Sequence, residues 1–256
     1  MCRRRSIVLA LCMCLLLVSI GGCDRPNAPW CLMRAGDWAT DTLTWDASAA
    51  PIMLTIETHL EVECAIGTDD EVEVIWCGPS NLLAHASADW SGNELVLGHE
   101  DRCQWTRDLS HVVQVKVTAP RIRDIHLHGQ GTFQMSTLDS SQHLNVEARD
   151  YAGAIELDLW LDSATVKLHN GATQATVSGA VTTLEAYSSG LSRLRTAGCS
   201  AQYGFIHQAG ASNLSFRATD YAYVVIDAPG NVLGGETPPL DWELKQLGSG
   251  ALLWSD

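Results

Sequence analysis

The sequence predicts an all-β protein: a parallel β-solenoid with coils of about 20 residues, preceded by a less regular N-terminal β section. Three observations predict it. First, glycines recur at a near-constant interval, at Gly131, Gly153, Gly171, Gly190, Gly210, Gly230 and Gly250, with spacings of 22, 18, 19, 20, 20 and 20 residues. A repeat of that length marks stacked structural units. Second, strict alternation follows the first five of these glycines. Two, four and six residues on stand Phe133, Met135, Thr137; Ile155, Leu157, Leu159; Thr173, Ala175, Val177; Ser192, Leu194, Thr196; and Ser212, Leu214, Phe216. The residues between them, Gln134, Ser136, Glu156, Asp158, Gln174, Thr176, Arg193, Arg195, Asn213 and Ser215, include no apolar side chain. That is the period of two of a strand with one face in a core. Third, the chain is turn-rich and poor in charge, with 21 Gly and 18% charged residues among 256, a composition that suits β architecture. An antiparallel sandwich is the competing reading, but its strands seldom keep such column identity.

Taken in order, the chain opens with "MCRRR" and "SIVLALCMCLLLVS", a basic and then a short apolar segment. This reads as a signal peptide over 1–22, too short for a membrane span. "SIGGC" ends it and resembles the lipobox of bacterial lipoproteins, which marks Cys23 for lipidation. Removing Arg3, Arg4 and Arg5 with the leader takes 16 basic residues to 13 and the net charge from −14 to −17. So acidic a surface repels phosphate backbones, which excludes nucleic acid as a partner, and lipid chains rather than protein charge would hold the chain to a membrane.

Residues 23–120 form the N-terminal strands, first coils and cap. "IMLTIETHLEVEC" and "EVEVIWC" read as strands of a hairpin around the tip "AIGTDDE", with "NELVLG" and "HVVQVKVTAP" as further strands. Six of the nine Trp residues lie here, Trp30, Trp38, Trp45, Trp76, Trp90 and Trp105, as cap or core packing or as a carbohydrate-stacking surface. Residues 121–256 form the regular coils, in one continuous domain spanning 32–256. In these, "DIHLH", "LNVEA", "ATVKLH", "TLEAY", "GFIH" and "YVVID" supply a second strand before each glycine. The glycine allows a positive φ or a sharp corner between the two strands.

Cysteine use fits an exported protein. With the leader gone and Cys23 lipidated, Cys31, Cys64, Cys77, Cys103 and Cys199 remain, without a CxxC pair. Cys64 and Cys77 flank the expected hairpin tip and are read as facing each other across it.

Several stretches, "CDRPNAPWC", "CGPSNLL", "SGNELVLG", "EDRCQWTR", "VKVTAPRIRDIHLHGQGTF" and "NVLGGETPPL…GSGALLW", resemble the bacterial putative auto-transporter adhesins with a head GIN domain. The resemblance covers roughly residues 23–256. It implies an exported or lipid-anchored β-helical protein and supplies no catalytic residue to carry over. Cys31 and Cys103 match places where this family carries Cys, which implies a Cys31–Cys103 disulfide and leaves Cys199 free inside the solenoid. Two features depart from the family pattern. Gln130, Ala152, Asn170, Ser189 and Ala209 stand where family coils often carry Gly-Ser before the glycine, and Cys64, Cys77 and Cys199 are particular to this chain.

Other motifs read as structure. "HLH" puts His126 and His128 on one strand face at a metal-ligand spacing, but no third ligand follows by pattern. Asp150, Asp227, His128 and His207 are placed in one corner column, interrupted by Leu168 and Tyr187; coils this short leave little room for a glycosidase cleft. Arg193 and Arg195 point outward, as a solvated face or a ligand strip. GxSxG, a phosphate loop and HExxH are all missing, and no cofactor is implied. The expected function is a non-enzymatic cell-envelope lipoprotein, adhesin-like or a scaffold, at the cell surface or facing the periplasm. It would meet the membrane through its lipid and an extracellular glycan or protein as ligand. A glycan-binding or glycan-processing accessory protein and an envelope protein-interaction or stress component are the alternatives.

Overall fold

A computed structural model describes residues 36–47, 51–99, 112–137 and 142–254. The chain is nearly all β and forms a parallel β-solenoid of about six turns. Each coil contributes one strand before a corner and one after it, so two parallel ladders run the length of the molecule.

The pre-corner ladder stacks β6 (Glu94–His99), β2 (Ile52–Ile56), β8 (Ile122–Leu127), β10 (His143–Arg149), the second halves of β11 (Ala152–His169), β12 (Gln174–Gly190) and β13 (Arg193–Gly210), then β15 (Ala218–Ile226) and β17 (Asp241–Gln246). The post-corner ladder stacks β7 (Gln114–Ala119), β3 (Leu60–Ile66), β9 (Gln130–Thr137), the first halves of β11, β12 and β13, then β14 (Leu214–Ser215), β16 (Val232–Gly234) and β18 (Leu252–Trp254).

Like side chains stack between coils. One inward column reads Val115, Val62, Phe133, Ile155, Ala175, Leu194, Leu214, Val232, Leu252. A second reads Leu95, Leu54, Ile125, Val146, Val166, Ala186, Ile206, Val224, Leu244. Nearly all of these side chains are buried. Fully burying one such aliphatic side chain contributes about 1.5–3 kcal/mol, so the two columns form the spine of the core. The alternation read from sequence holds: Ser212 alone of the fifteen predicted inward residues is only half-buried.

The corners need glycine for a reason the sequence showed only in part. Gly190 has φ +65 and requires the left-handed region. Gly230 does not, but a Cβ there would strike the Ser212 carbonyl oxygen. Successive corners approach backbone to backbone, as in the Gly230 N–H bond to the Gly210 carbonyl at 3.0 Å. The polar inward residues serve the same corners. Thr173 donates to the Tyr151 carbonyl at 2.6 Å and Ser192 to the Asn170 carbonyl at 2.5 Å, so inward hydroxyls tie one coil's corner to the next.

The N-terminal section differs from expectation. "IMLTIETHLEVEC" is two strands, β2 and β3, turning a corner at Glu57–His59 to make a coil. β4 (Glu71–Pro79) does not pair with β3. Both flank β7, β3 parallel and β4 antiparallel to it, so the expected hairpin is absent. Coil order also departs from chain order, because the β2–β3 coil lies between β6–β7 on one side and β8–β9 on the other. β1 (Trp38–Asp46) pairs antiparallel with β4, and β5 (Ala86–Ser91) with β6, while the single turn α1 (Ser80–Leu83) joins β4 to β5. These antiparallel strands close the N-terminal end of the solenoid. Trp45 and Trp90 stack with ring centroids 6.2 Å apart over the core, and Trp76 is buried. Trp38 is exposed, and Trp30 and Trp105 lie outside the described residues.

The Cys64–Cys77 bridge is corrected by the same topology. Cys64 is opposite Val117 and Cys77 opposite Gln114, on the two sides of β7. Cys64 points into the core while Cys77 is half-exposed on the outer face, and both are free thiols. Two strand spacings plus three residues of offset put the Cα atoms well beyond the roughly 7 Å that a disulfide spans. Cys199 is free and fully buried. Cys23, Cys31 and Cys103 lie outside the described residues.

Candidate functional site

The outer surface of the pre-corner ladder carries the most distinctive chemistry. In "YGFIHQ" of β13 and "YAYVVI" of β15, the inward residues are Gly204, Ile206, Gln208 and Ala222, Val224, Ile226. The outward set is Tyr203, Phe205, His207 and Tyr221, Tyr223, Val225. Register sets Tyr203 beside Tyr221 and Phe205 beside Tyr223. The four residues therefore sit on a grid whose Cα atoms are spaced roughly 5 Å between coils and about 7 Å along each strand. Tyr203 and Phe205 are 41% and 43% exposed and Tyr221 and Tyr223 half-exposed, and contiguous exposed apolar surface is where ligands and partners bind. Phe205 meets Tyr221 edge-on, with centroids 6.5 Å apart.

A strip of imidazole and carboxylate groups borders the grid. The outward column reads Thr55, His126, Glu147, Lys167, Tyr187, His207, Val225, Lys245. His126, not His128, is therefore the member of the His207 column, and Lys167, not Leu168, the neighbour of Tyr187. The difference is two residues at His126 and one at Lys167; Asp150 and Asn170, which follow β10 and β11, turn their corners in left-handed conformations, φ 51 and 57. His169, Tyr187 and His207 form a run of rings with centroids 4.9 and 5.1 Å apart. His207 Nε2 lies 2.5 Å from Asp227 Oδ2. Glu147 gathers Arg149, His169 at 3.0 Å and His126 at 3.7 Å, and Lys167 pairs with Glu185 at 2.8 Å. Among the described residues, no group of His, Cys, Asp or Glu is arranged to hold a metal ion.

Carboxylates of the next coil close the far side of the grid. Desolvation, then the hydrogen bond to Glu243, then the charges of Glu243 and Asp241 raise the Tyr221 hydroxyl's pKa, so it stays a neutral donor. At the other end of the ladder, burial of Asp124 is outweighed by hydrogen bonds from Arg123 at 2.7 Å and Asn145 at 3.3 Å, which hold its carboxyl below the usual range. The surface thus offers neutral aromatic faces ringed by hydrogen-bonding groups, the pattern that suits a ligand with both apolar and hydroxylated sides.

The post-corner ladder has two shallower features. An open groove of about 500 Å³ is lined by Glu61, Glu63, Gln114, Lys116 and Cys77 among others. A second, of about 400 Å³, lies under Arg193, Arg195, Asn213 and Ser215. Arg193 and Arg195 do point outward, and one coil bearing Thr176 and Ser178 separates them from Glu156 and Asp158. Sequence reading looked for ligand-stacking aromatics among the N-terminal tryptophans and missed the tyrosines. The available signal was the pair of outward aromatics in each of "YGF" and "YAY", at alternate positions and one coil apart.

A short-coil parallel β-solenoid, closed at its N-terminal end and displaying flat outer faces, belongs to the class of repeat scaffolds that bind along their length. Within that class, the chain belongs to the family described as putative auto-transporter adhesin, head GIN domain, whose profile matches residues 52–238. Its fold is similar to that of a putative adhesin from Bacteroides fragilis at 15% identity, TM-score 0.72, covering 85% of this chain and 97% of that one. It is also similar to a putative adhesin from Parabacteroides merdae at 14% identity, TM-score 0.59, covering 86% and 97%. A third, described as a putative lipid binding protein from Parabacteroides distasonis, aligns at 14% identity with a TM-score of 0.60, covering 85% and 97%. No curated protein matches the sequence. Among the described residues, no helix is long and apolar enough to cross a membrane.

Proposed function

We propose that this chain is a non-enzymatic, adhesin-type binding module of the bacterial cell envelope, lipid-anchored at Cys23, that holds an extracellular glycan on the outer face of its pre-corner ladder. The observation that carries the reading is the outward cluster of exposed Tyr203 and Phe205 against half-exposed Tyr221 and Tyr223. The apolar face of a sugar would stack on the rings, while His207, Asp227 and Glu185 would bond its hydroxyls at the border. Membership in a family of putative adhesins and the "SIGGC" leader support export and attachment.

A glycan array probed with the protein, followed by titration of the best binder, tests this. Phe205→Ala combined with Tyr223→Ala should weaken binding by at least about fivefold, since each stacked ring is worth roughly 0.5–1.5 kcal/mol, with melting temperature little changed. Binding that survives loss of both rings would remove the grid from the site.

A further inference from the structure

The two ends of the solenoid are unlike. β1, β4 and β5 lie antiparallel over the first coil. At the other end, β17 pairs only with β15 and β18 only with β16 among the described residues, so both offer an unpaired backbone edge. That end is also apolar. Trp242 and Leu244 occupy inward positions, in register with buried Ala222 and Val224, yet are 42% and 37% exposed; Leu240, Leu247 and Leu253 are exposed beside them. An open edge with core-type residues behind it is a template for strand addition.

We infer that this end is an interface for a second copy of the chain, formed by antiparallel pairing of β17 with its counterpart about a two-fold axis at Leu244. The residues of β17, Asp241-Trp242-Glu243-Leu244-Lys245-Gln246, select the register by charge. Side-chain parity allows only registers that keep inward residues facing inward. Centring on Glu243 brings Asp241 opposite Lys245 twice but sets two glutamates against each other on the axis, and centring on Lys245 opposes two lysines, so of these registers only centring on Leu244 opposes no like charges. Centring on Leu244 places Glu243 opposite Lys245 twice and sets Leu244 against Leu244 on the inner side, with Trp242 beside Gln246. Cross-strand pairs of opposite charge favour an arrangement and like pairs oppose it. The inner columns of both copies then end on one another instead of on water. The interface is isologous and closes on itself. Head-to-tail growth into a filament is blocked because β4 and β5 run antiparallel across the opposite end. This inference is independent of the glycan reading.

The test uses the mature chain, residues 23–256 with Cys23→Ser, so that neither lipid nor the apolar leader drives association, and measures mass by light scattering after size exclusion. The expected result is twice the single-chain mass. Lys245→Glu alone and Glu243→Lys alone should each give the single-chain mass. The double swap Glu243→Lys with Lys245→Glu should restore the dimer, since it re-creates both pairs. Circular dichroism melts confirm that each variant is folded. Leu244→Cys should form a disulfide-linked dimer on oxidation beyond that of its parent, because the two sulfurs face each other across the axis. A single-chain mass for the parent, or single swaps that leave a dimer intact, or a double swap that stays monomeric, would each overturn the inference.

Discussion

Leu214 and Asn213 are neighbours in sequence with opposite fates, and a paired substitution there tests the coil register on which the fold rests. Leu214 is fully buried, between Leu194 and Val232 in the first inward column. Truncating a packed Leu costs about 2–5 kcal/mol. Leu214→Asp adds the burial of a carboxylate without a partner, so the total should exceed about 4 kcal/mol. Asn213 is exposed, and its Oδ1 accepts the Asn231 backbone N–H at 3.1 Å. Asn231 repeats the bond to Ala251 one coil on, at 2.9 Å. Asp at position 213 keeps that acceptor and stands opposite the Arg193 coil, so its change should stay within about 0.5 kcal/mol. At roughly 2–4 °C per kcal/mol for a chain of this size, Leu214→Asp should melt at least about 8 °C lower, and Asn213→Asp within about 2 °C of the parent. Thermal melting by circular dichroism reads both. Equal melting points, or the larger loss in the Asn213 variant, would mean that the strand faces are assigned the wrong way round.

Three further outcomes are expected. Thiol labelling of the native protein at pH 8 should modify Cys77 and spare Cys64 and Cys199, because both are buried and burial pushes the Cys199 thiol up to about 11, so that it stays protonated; mass spectrometry that finds Cys199 labelled before unfolding would contradict its placement. Gly230→Ala should destabilise by more than about 1 kcal/mol, since its Cβ would meet the Ser212 carbonyl and the Gln208 amide; denaturant unfolding measures it. Cys23→Ala should abolish incorporation of a fatty-acid probe in cells, and a variant that keeps the label would exclude the proposed anchor.

The sequence alone determined which way most side chains face. Alternation after each glycine has a period of two, and a slip of two residues leaves it unchanged. This is why Thr173, Ala175 and Val177 were correctly assigned inward although Gly171 sits beside Tyr151 rather than Gly153. Repeated glycines likewise revealed the coil length, because every corner meets its neighbour backbone to backbone. A one-residue slip is not forgiven: it put the buried Leu168 where Lys167 stands in the outer column, whereas the two-residue slip at His128 kept the face and missed only the neighbour. Only the tertiary structure decided what lies beside what. The β2–β3 coil is flanked by strands from both later segments, and Cys64 and Cys77 are parted by β7, because strand pairing there joins residues far apart in the chain, such as Cys64 with Val117 and Cys77 with Gln114, that no local pattern encodes. The aromatic grid has the same origin. Each of "YGF" and "YAY" is an ordinary half-exposed strand, and the site arises when parallel register sets Tyr203 on Tyr221 and Phe205 on Tyr223, a match fixed by corner length and by the packing of Ile206 on Val224 within the core.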